Sequence, residues 1–247
     1  MSRDRLRFSL IIPAFNEEKF LTPLLDSVET ARSRYSGGAA AVEVIVADNA
    51  SSDGTAGLAA GRGCLVVPVE KRIIAAARNA GARQARGEIL AFVDADMRIH
   101  PDTFDAIDRA LASGRVVGGA TGVTLERWSV GLAVTYCLML PMVWITRMDT
   151  GVVFCRREDF DAVGGYDERR LLAEDVAFLL ALRRLGRPRG QRLCRLTSVK
   201  AVASVRKFDE FGDWHYIRML PTVALGLLRG GGWVRQFADR YWYRPSR

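Results

Sequence analysis

Four short apolar runs, each followed by a stretch with helical spacing or turn chemistry, constrain the first half of this chain more than any other feature. The runs are Phe8 to Ile12 (closed by Pro13), Val42 to Ala47, Cys64 to Val69 and Ile89 to Val93. They are too short for helices, so each reads as a strand, and Ile89 to Val93 as a central strand buried on both faces. Between the first two, Leu21, Leu24, Leu25 and Val28 recur at helical spacing, with Asn16 as an N-cap and Glu17 and Glu18 in the first turn. Thr55 opens a short helix, and Ala75 to Ala85 is helix-prone. Strand and helix alternating over residues 8–112 predict an α/β fold whose mostly parallel central sheet is flanked by helices.

Open parallel sheets bind ligands beyond the carboxyl ends of their strands, so the polar residues after each run carry the functional reading. The second run ends in Asp48, which begins the polar stretch Asp48-Asn49-Ala50-Ser51-Ser52-Asp53-Gly54-Thr55. Asp53 within it reads as a turn former rather than a ligand. The fourth run ends in Asp94 and Asp96, separated by one alanine. Paired hard oxygens suit Mg²⁺ or Mn²⁺ bound together with phosphates, although two aspartates also merely end a strand. A third acidic pair, Glu174 and Asp175, suits the start of a helix from about Ala173 to Leu185 as well as it suits chemistry.

Further along, His100-Pro101-Asp102 starts a helix, Val116 to Thr124 reads as a strand and Gly151 to Cys155 as another. Arg157 to Val163 is a short helix stopped by Gly164-Gly165. Val130 to Thr146 is nearly all apolar, contains Pro141 and sits at the short limit for a membrane span, so a buried helix, an interfacial helix and a span are all open to it. Residues 211–243 are rich in Trp, Tyr, Leu and Arg. The net charge of +8 and pI near 9.7 point to anionic partners: nucleotides or anionic lipid head groups before nucleic acid, for which no aromatic RNA-binding motif is present. Cys64, Cys137, Cys155 and Cys194 lack C-x-x-C spacing and read as free, buried thiols of a reducing cytoplasm. The charged N-terminus does not resemble a signal peptide.

Five stretches in order carry a resemblance. They are Ser9 to Glu18 (SLIIPAFNEE), Asp48 to Thr55, Ala77-Arg78-Asn79-Ala80-Gly81, Gly87 to Asp96, and Gly164-Gly165-Tyr166-Asp167-Glu168 with Glu174-Asp175. Together they resemble the family 2 glycosyltransferases of GT-A fold. That resemblance implies one Rossmann-like domain over residues 6–205, with a nucleotide-sugar half to about 112 and an acceptor half from 113; residues 206–247 read, from their apolar, aromatic and basic content, as a helical, membrane-associating extension. It implies that Pro13, Ala14, Asn16 and Glu17 line the nucleoside pocket, and that Asp48 accepts a hydrogen bond from the base. By the same resemblance Arg78 approaches the donor phosphates, and Asp96 is the main ligand of Mg²⁺ or Mn²⁺ with Asp94 in support. Asp175 is then the general base of an inverting transfer from a nucleotide-diphosphate sugar, UDP-linked first, to a carbohydrate or lipid-linked acceptor. Arg206-Lys207 falls where relatives carry a basic loop over the donor, and His215 is a packing residue or a further metal ligand.

Three rival readings are weighed against this one. Sugar-phosphate nucleotidyltransferases place a glycine-rich loop with Arg or Lys where this chain has Pro13-Ala14-Phe15-Asn16-Glu17. A non-catalytic nucleotide-sugar binder has no need of Glu174-Asp175. A transferase acting on a polyprenyl phosphate has less need of Asp175, because its acceptor is already ionised. The Q-x-x-R-W pattern of processive synthases is absent. The expected location is cytoplasmic, peripheral on the inner membrane face.

Overall fold

A computed structural model describes residues 6–146, 149–170, 173–215 and 217–219. The chain divides into two compact units, the first formed by Met1–Thr124 with Arg147–Ala203 and the second by Leu125–Thr146 with Ser204–Arg247. The stretch 125–146, assigned to the acceptor half from sequence, thus groups with the C-terminal residues.

The first unit begins with β1 (Phe8–Ala14), α1 (Glu18–Arg34), β2 (Val42–Asp48), α2 (Thr55–Gly61), β3 (Leu65–Pro68), α3 (Ile74–Gln84) and β4 (Ile89–Phe92). It continues with β5 (Met97–Arg98), α4 (Thr103–Ala112), β6 (Val116–Leu125), β7 (Val153–Arg156), α6 (Arg157–Val163), α7 (Glu174–Gly186) and β8 (Arg192–Ala203). One helix, α5 (Val130–Thr146), lies between β6 and β7 in sequence and belongs to the second unit with α8 (Arg206–Phe211).

The sheet has eight strands in the order β3-β2-β1-β4-β7-β6-β8-β5. β1 is parallel to both β2 and β4, and β2 is parallel to β3, which is the half expected from strand–helix alternation. Beyond β4 the sheet is mixed: β7 runs antiparallel to β4 and β6, and β5 antiparallel to β8. The strands β5 and β8 have no counterpart among the sequence expectations.

Burial on both faces explains the apolar runs of β1 and β4, whereas β3 is half-buried with Leu65 exposed. Leu10 and Ile12 of β1 and Ala91 of β4 enter one core with Leu21, Leu24, Phe104 and Ile107 of α1 and α4. The alternate residues Ile11, Leu90 and Phe92 enter the other with Phe160, Phe178 and Leu182 of α6 and α7. α3 packs closely on β1 because Gly81 has no side chain: a Cβ there would come within 2.5 Å of Ile11.

Pro13 does not close β1 as expected. The Val93 amide donates to the Ile11 carbonyl at 3.1 Å, so Ile11 faces β4 and Pro13, two residues on, faces the same way. The β1–β4 register ends at Ile11, so the missing proline N–H breaks no ladder bond there. All four cysteines are free, as expected, but Cys155 alone is fully buried and Cys137 is exposed, which corrects the expectation of buried thiols throughout.

In the second unit, Arg127 pairs with Asp209 at 2.5 Å and with Asp213 at 2.8 Å. His215 stacks on Phe211 with ring centroids 4.8 Å apart. No helix among the described residues is long and apolar enough to cross a membrane. Of residues 211–243, which are rich in Trp, Tyr, Leu and Arg, 216 and 220–243 lie outside the described residues.

Candidate active site

Two clusters form at the carboxyl ends of the parallel strands. The first joins the loops after β1 and β2. Ala14 and Asp48 are register partners at the ends of these strands. Asn16, expected as a helix cap, instead adopts a left-handed backbone with φ of 55°, and α1 is preceded by Glu17. The Asn16 amide donates to the Ser51 hydroxyl at 3.0 Å, and its side-chain oxygen accepts from the Ser52 amide at 2.8 Å. The Ser51 amide in turn donates to Asp48 Oδ1 at 3.3 Å. Glu17 donates through its amide to the Thr55 hydroxyl at 2.9 Å. A position that a local rule assigns to capping thus stitches two loops together, because the neighbouring loop supplies better partners than the helix does. Asp53 is the turn former expected: its carboxylate accepts from the Thr55 amide at 3.0 Å and the Glu18 amide at 3.2 Å. Burial pushes the Asp53 carboxyl up, but the hydrogen bonds from Thr55 and Glu18 outweigh it and hold the group below its ordinary range.

The second cluster is built on Arg78 of α3. Its guanidinium is 3% exposed and lies 2.8 Å from Asp94, 2.8 Å from Glu174 and 2.9 Å from Asp175. The sequence reading turned Arg78 toward donor phosphates; the structure turns it inward, onto three of the protein's own carboxylates. Burial alone lowers its pKa, yet the charges of Asp175, Asp94 and Glu174 hold it well above the ordinary value. Three carboxylates around one cation leave an excess of two negative charges, and burial penalises them. The Asp175 side chain, 13% exposed, responds most: its carboxyl is pushed up to about 6, chiefly by burial, with Asp94 and Glu174 adding and Arg78 opposing. A carboxyl with that pKa is a competent proton acceptor near neutral pH.

Asn79, beside Arg78 on α3, holds the far side of the cluster in place. Its side chain accepts from the Tyr166 amide at 2.9 Å and donates to the Tyr166 carbonyl at 2.9 Å. It also donates to Glu168 at 3.1 Å. Gly165, with φ of 72°, fits beneath this pair, and a Cβ there would lie 2.8 Å from the Asn79 oxygen. Asn79 and Tyr166 stand in the Ala77–Gly81 and Gly164–Glu168 motifs, and the resemblance implies no role for either. The signal available was their adjacency to Arg78 and to the Gly164-Gly165 pair.

Asp94 is 38% exposed on its side chain, and its carbonyl accepts from the Met97 amide at 3.1 Å, so a tight turn carries Asp94 and the half-buried Asp96 off the end of β4. Their oxygens have the hardness that Mg²⁺ or Mn²⁺ requires. Among the described residues, no group of three or more His, Cys, Asp or Glu side chains is arranged to hold a metal ion by itself. A cation held there takes its remaining ligands from water or from the phosphates of a bound nucleotide, the usual situation for Mg²⁺. Asp48 and its loop form a cluster separate from the Arg78 group, at the same strand ends. His215 belongs to the second unit.

The family model for glycosyl transferase family 2 matches residues 9–165, which take in the loops after β1 and β2, Arg78, Asn79, Asp94 and Asp96 and end before Tyr166, Glu174 and Asp175. This chain belongs to glycosyl transferase family 2. A curated relative is glycosyltransferase AglE of Haloferax volcanii, 35% identical over a 101-residue alignment, with coverage of 37% of this chain and 31% of the relative. The chain therefore spans about a third of the length of that relative. Among solved structures, the mannosyltransferase PcManGT from Pyrobaculum calidifontis in complex with GDP-Man and Mn²⁺ superposes with a TM-score of 0.64 at 24% identity, over 81% of this chain and 57% of that one. S. aureus TarS 1–349 in complex with UDP-GlcNAc superposes with a TM-score of 0.62 at 21% identity, over 80% and 58%. These likenesses establish the fold as that of the GT-A glycosyltransferases, the fold expected from the five motifs.

Proposed function

We propose that this family 2 protein transfers a sugar from a nucleotide-diphosphate sugar, UDP-linked first, to an acceptor hydroxyl with inversion at the anomeric carbon. The observation that carries the reading is Asp175, a buried carboxyl with a pKa near 6, held 2.9 Å from a guanidinium that also holds Asp94 of the D-x-D turn. The nucleotide sugars named for the two structural relatives, and the Mn²⁺ of one, support the donor class and a divalent cofactor.

In this reading Pro13, Ala14, Asn16 and Glu17 line the nucleoside pocket, and Asp48 accepts a hydrogen bond from the base, as the imide N–H of uracil would donate. Asp96 and Asp94 would hold Mg²⁺ or Mn²⁺, which would supply charge stabilisation to the departing diphosphate. Arg78 keeps Asp94 and Asp175 at fixed positions relative to each other. Asp175 removes the acceptor proton as the acceptor oxygen bonds to the anomeric carbon, and the bond to the diphosphate breaks with its electron pair. Replacing Asp96→Ala is expected to reduce transfer at least about 10²-fold, the scale of losing one strong transition-state stabiliser, without changing the melting temperature by more than about 2 °C. EDTA should do the same reversibly. Full turnover in EDTA would remove the metal from this account.

A second observation bears on the acceptor. Of the seven large apolar side chains exposed among the described residues, six belong to the second unit: Trp128, Val130, Val134, Leu138, Phe211 and Trp214. Val130, Val134 and Leu138 follow one another at four-residue spacing on α5 and so line one stripe. With a net charge of +8, this supports peripheral binding to an anionic membrane face, cytoplasmic in location, and an acceptor linked to lipid. Flotation with anionic vesicles at low salt, and partial release at high salt, is the expected result. Protein that stays at the bottom of the gradient with anionic and neutral vesicles alike rules out the membrane contact. A polyprenyl-phosphate acceptor is distinguished from a hydroxyl acceptor by Asp175→Asn, which a pre-ionised phosphate tolerates.

A further inference from the structure

Tyr166 follows the Gly164-Gly165 pair and is 2% exposed. Its ring is fixed on several sides. It stacks on Phe178 at 4.3 Å between centroids, meets the edge of Phe92 at 5.2 Å, and has the Arg78 guanidinium carbon 5.1 Å from its centre. Its backbone is fixed by two hydrogen bonds with the Asn79 side chain, which donates to the Tyr166 carbonyl and accepts from the Tyr166 amide. A ring clamped in this way has little freedom to reorient its hydroxyl oxygen. That oxygen is buried and, among the described residues, has no hydrogen bond of normal geometry, while Asp175 Oδ1 has only its ion pair with Arg78 at 2.9 Å. The two are nonetheless neighbours that act on each other electrostatically. Buried polar groups are rarely left unpaired, and those that are call for an explanation.

We propose that Tyr166 is a positioning residue that works through Asp175: its hydroxyl donates to Oδ1 when donor and acceptor are bound, and leaves Oδ2 to take the acceptor proton. The proton moves from the acceptor hydroxyl to Oδ2, the acceptor oxygen bonds to the anomeric carbon, and the diphosphate departs with the electron pair. The Tyr166 proton stays on the phenol throughout. Burial and the Asp175 charge push the phenol pKa well above its ordinary value, so it remains a donor. Charged and titratable groups around Asp175 are Arg78 from α3, Asp94 from the β4 turn, Glu174 beside it on α7, and Tyr166 itself. This inference rests on Asp175 being the base.

The test is Tyr166→Phe, which keeps the clamped ring and removes one oxygen, measured alone and together with Asp175→Asn. The single variant is expected to lose about tenfold or more in kcat, the scale of one hydrogen bond to a charged group, with the donor KM unchanged. In the Asp175→Asn background the same change should cost nothing further, since there is no carboxylate left to orient. An unchanged kcat in the single variant overturns the proposal. So does a fall in kcat accompanied by a raised donor KM and a lowered melting temperature, which marks a packing role. If Asp175→Asn by itself keeps full activity, the fault lies with the base assignment and not with Tyr166.

Discussion

Arg78→Met is expected to destabilise the protein by about 3–5 kcal/mol, the scale of stranding buried charges by removing their partner. Methionine preserves much of the volume, so the loss reports charge rather than a cavity. Asp94, Glu174 and Asp175 would then share one partly buried site with no cation between them, and at least one would take up a proton. In urea the midpoint should fall while the slope of the transition stays the same. Arg78→Lys should recover part of this, because an ammonium supplies the charge but cannot reach three carboxylates as a planar fork does. Transfer activity should be lost in both variants, since Asp94 and Asp175 are no longer held relative to each other. A loss below about 1 kcal/mol, in the range of an exposed pair, would contradict the account of this cluster.

Asp175→Asn is expected to lower kcat by about 10²-fold or more, the usual scale for removing a general base, with donor affinity nearly unchanged. The amide keeps the shape of the carboxylate and removes its basicity. The pH profile provides the second readout. Asp175 works deprotonated and its carboxyl is pushed up to about 6, so in the wild type kcat/KM should fall as pH drops below 6. Asp94 is one of the charges holding that value up. A cation bound at Asp94 offsets this charge, so the acid limb of kcat itself should lie below that of kcat/KM. In Asp175→Asn both limbs should vanish. A profile with the same limb in wild type and variant assigns the proton to another group.

The sequence made some of this site legible and hid the rest for physical reasons. β4 with Asp94 and Asp96 could be read directly, because a strand buried on both faces leaves an apolar run that stops where polarity begins. The bounds of α5 and α6 were likewise visible, α6 because Gly164 ends it in a left-handed cap at φ of 77°. Strand β8 was not, since arginines and a lysine interrupt its apolar residues and its fully buried positions are few. Asn16 misled because capping is a local preference, and its partners Ser51 and Ser52 come from the next strand's loop. The ion pairs of Arg78 were hidden for a stronger reason. An arginine on a helix is ordinarily solvated, and nothing local shows that a segment about 95 residues downstream brings two carboxylates back to it.

The measurement that tests the central claim most directly is the anomeric configuration of the first sugar released from a turned-over donor. Nucleotide sugars incubated with the protein and Mn²⁺ undergo slow hydrolysis when water takes the acceptor's place, and proton NMR distinguishes the two anomers before they equilibrate. A single displacement with Asp175 as base predicts that an α-linked donor first yields the β anomer, and that Asp175→Asn slows this release. An α anomer appearing first, at a rate indifferent to Asp175, would contradict the account.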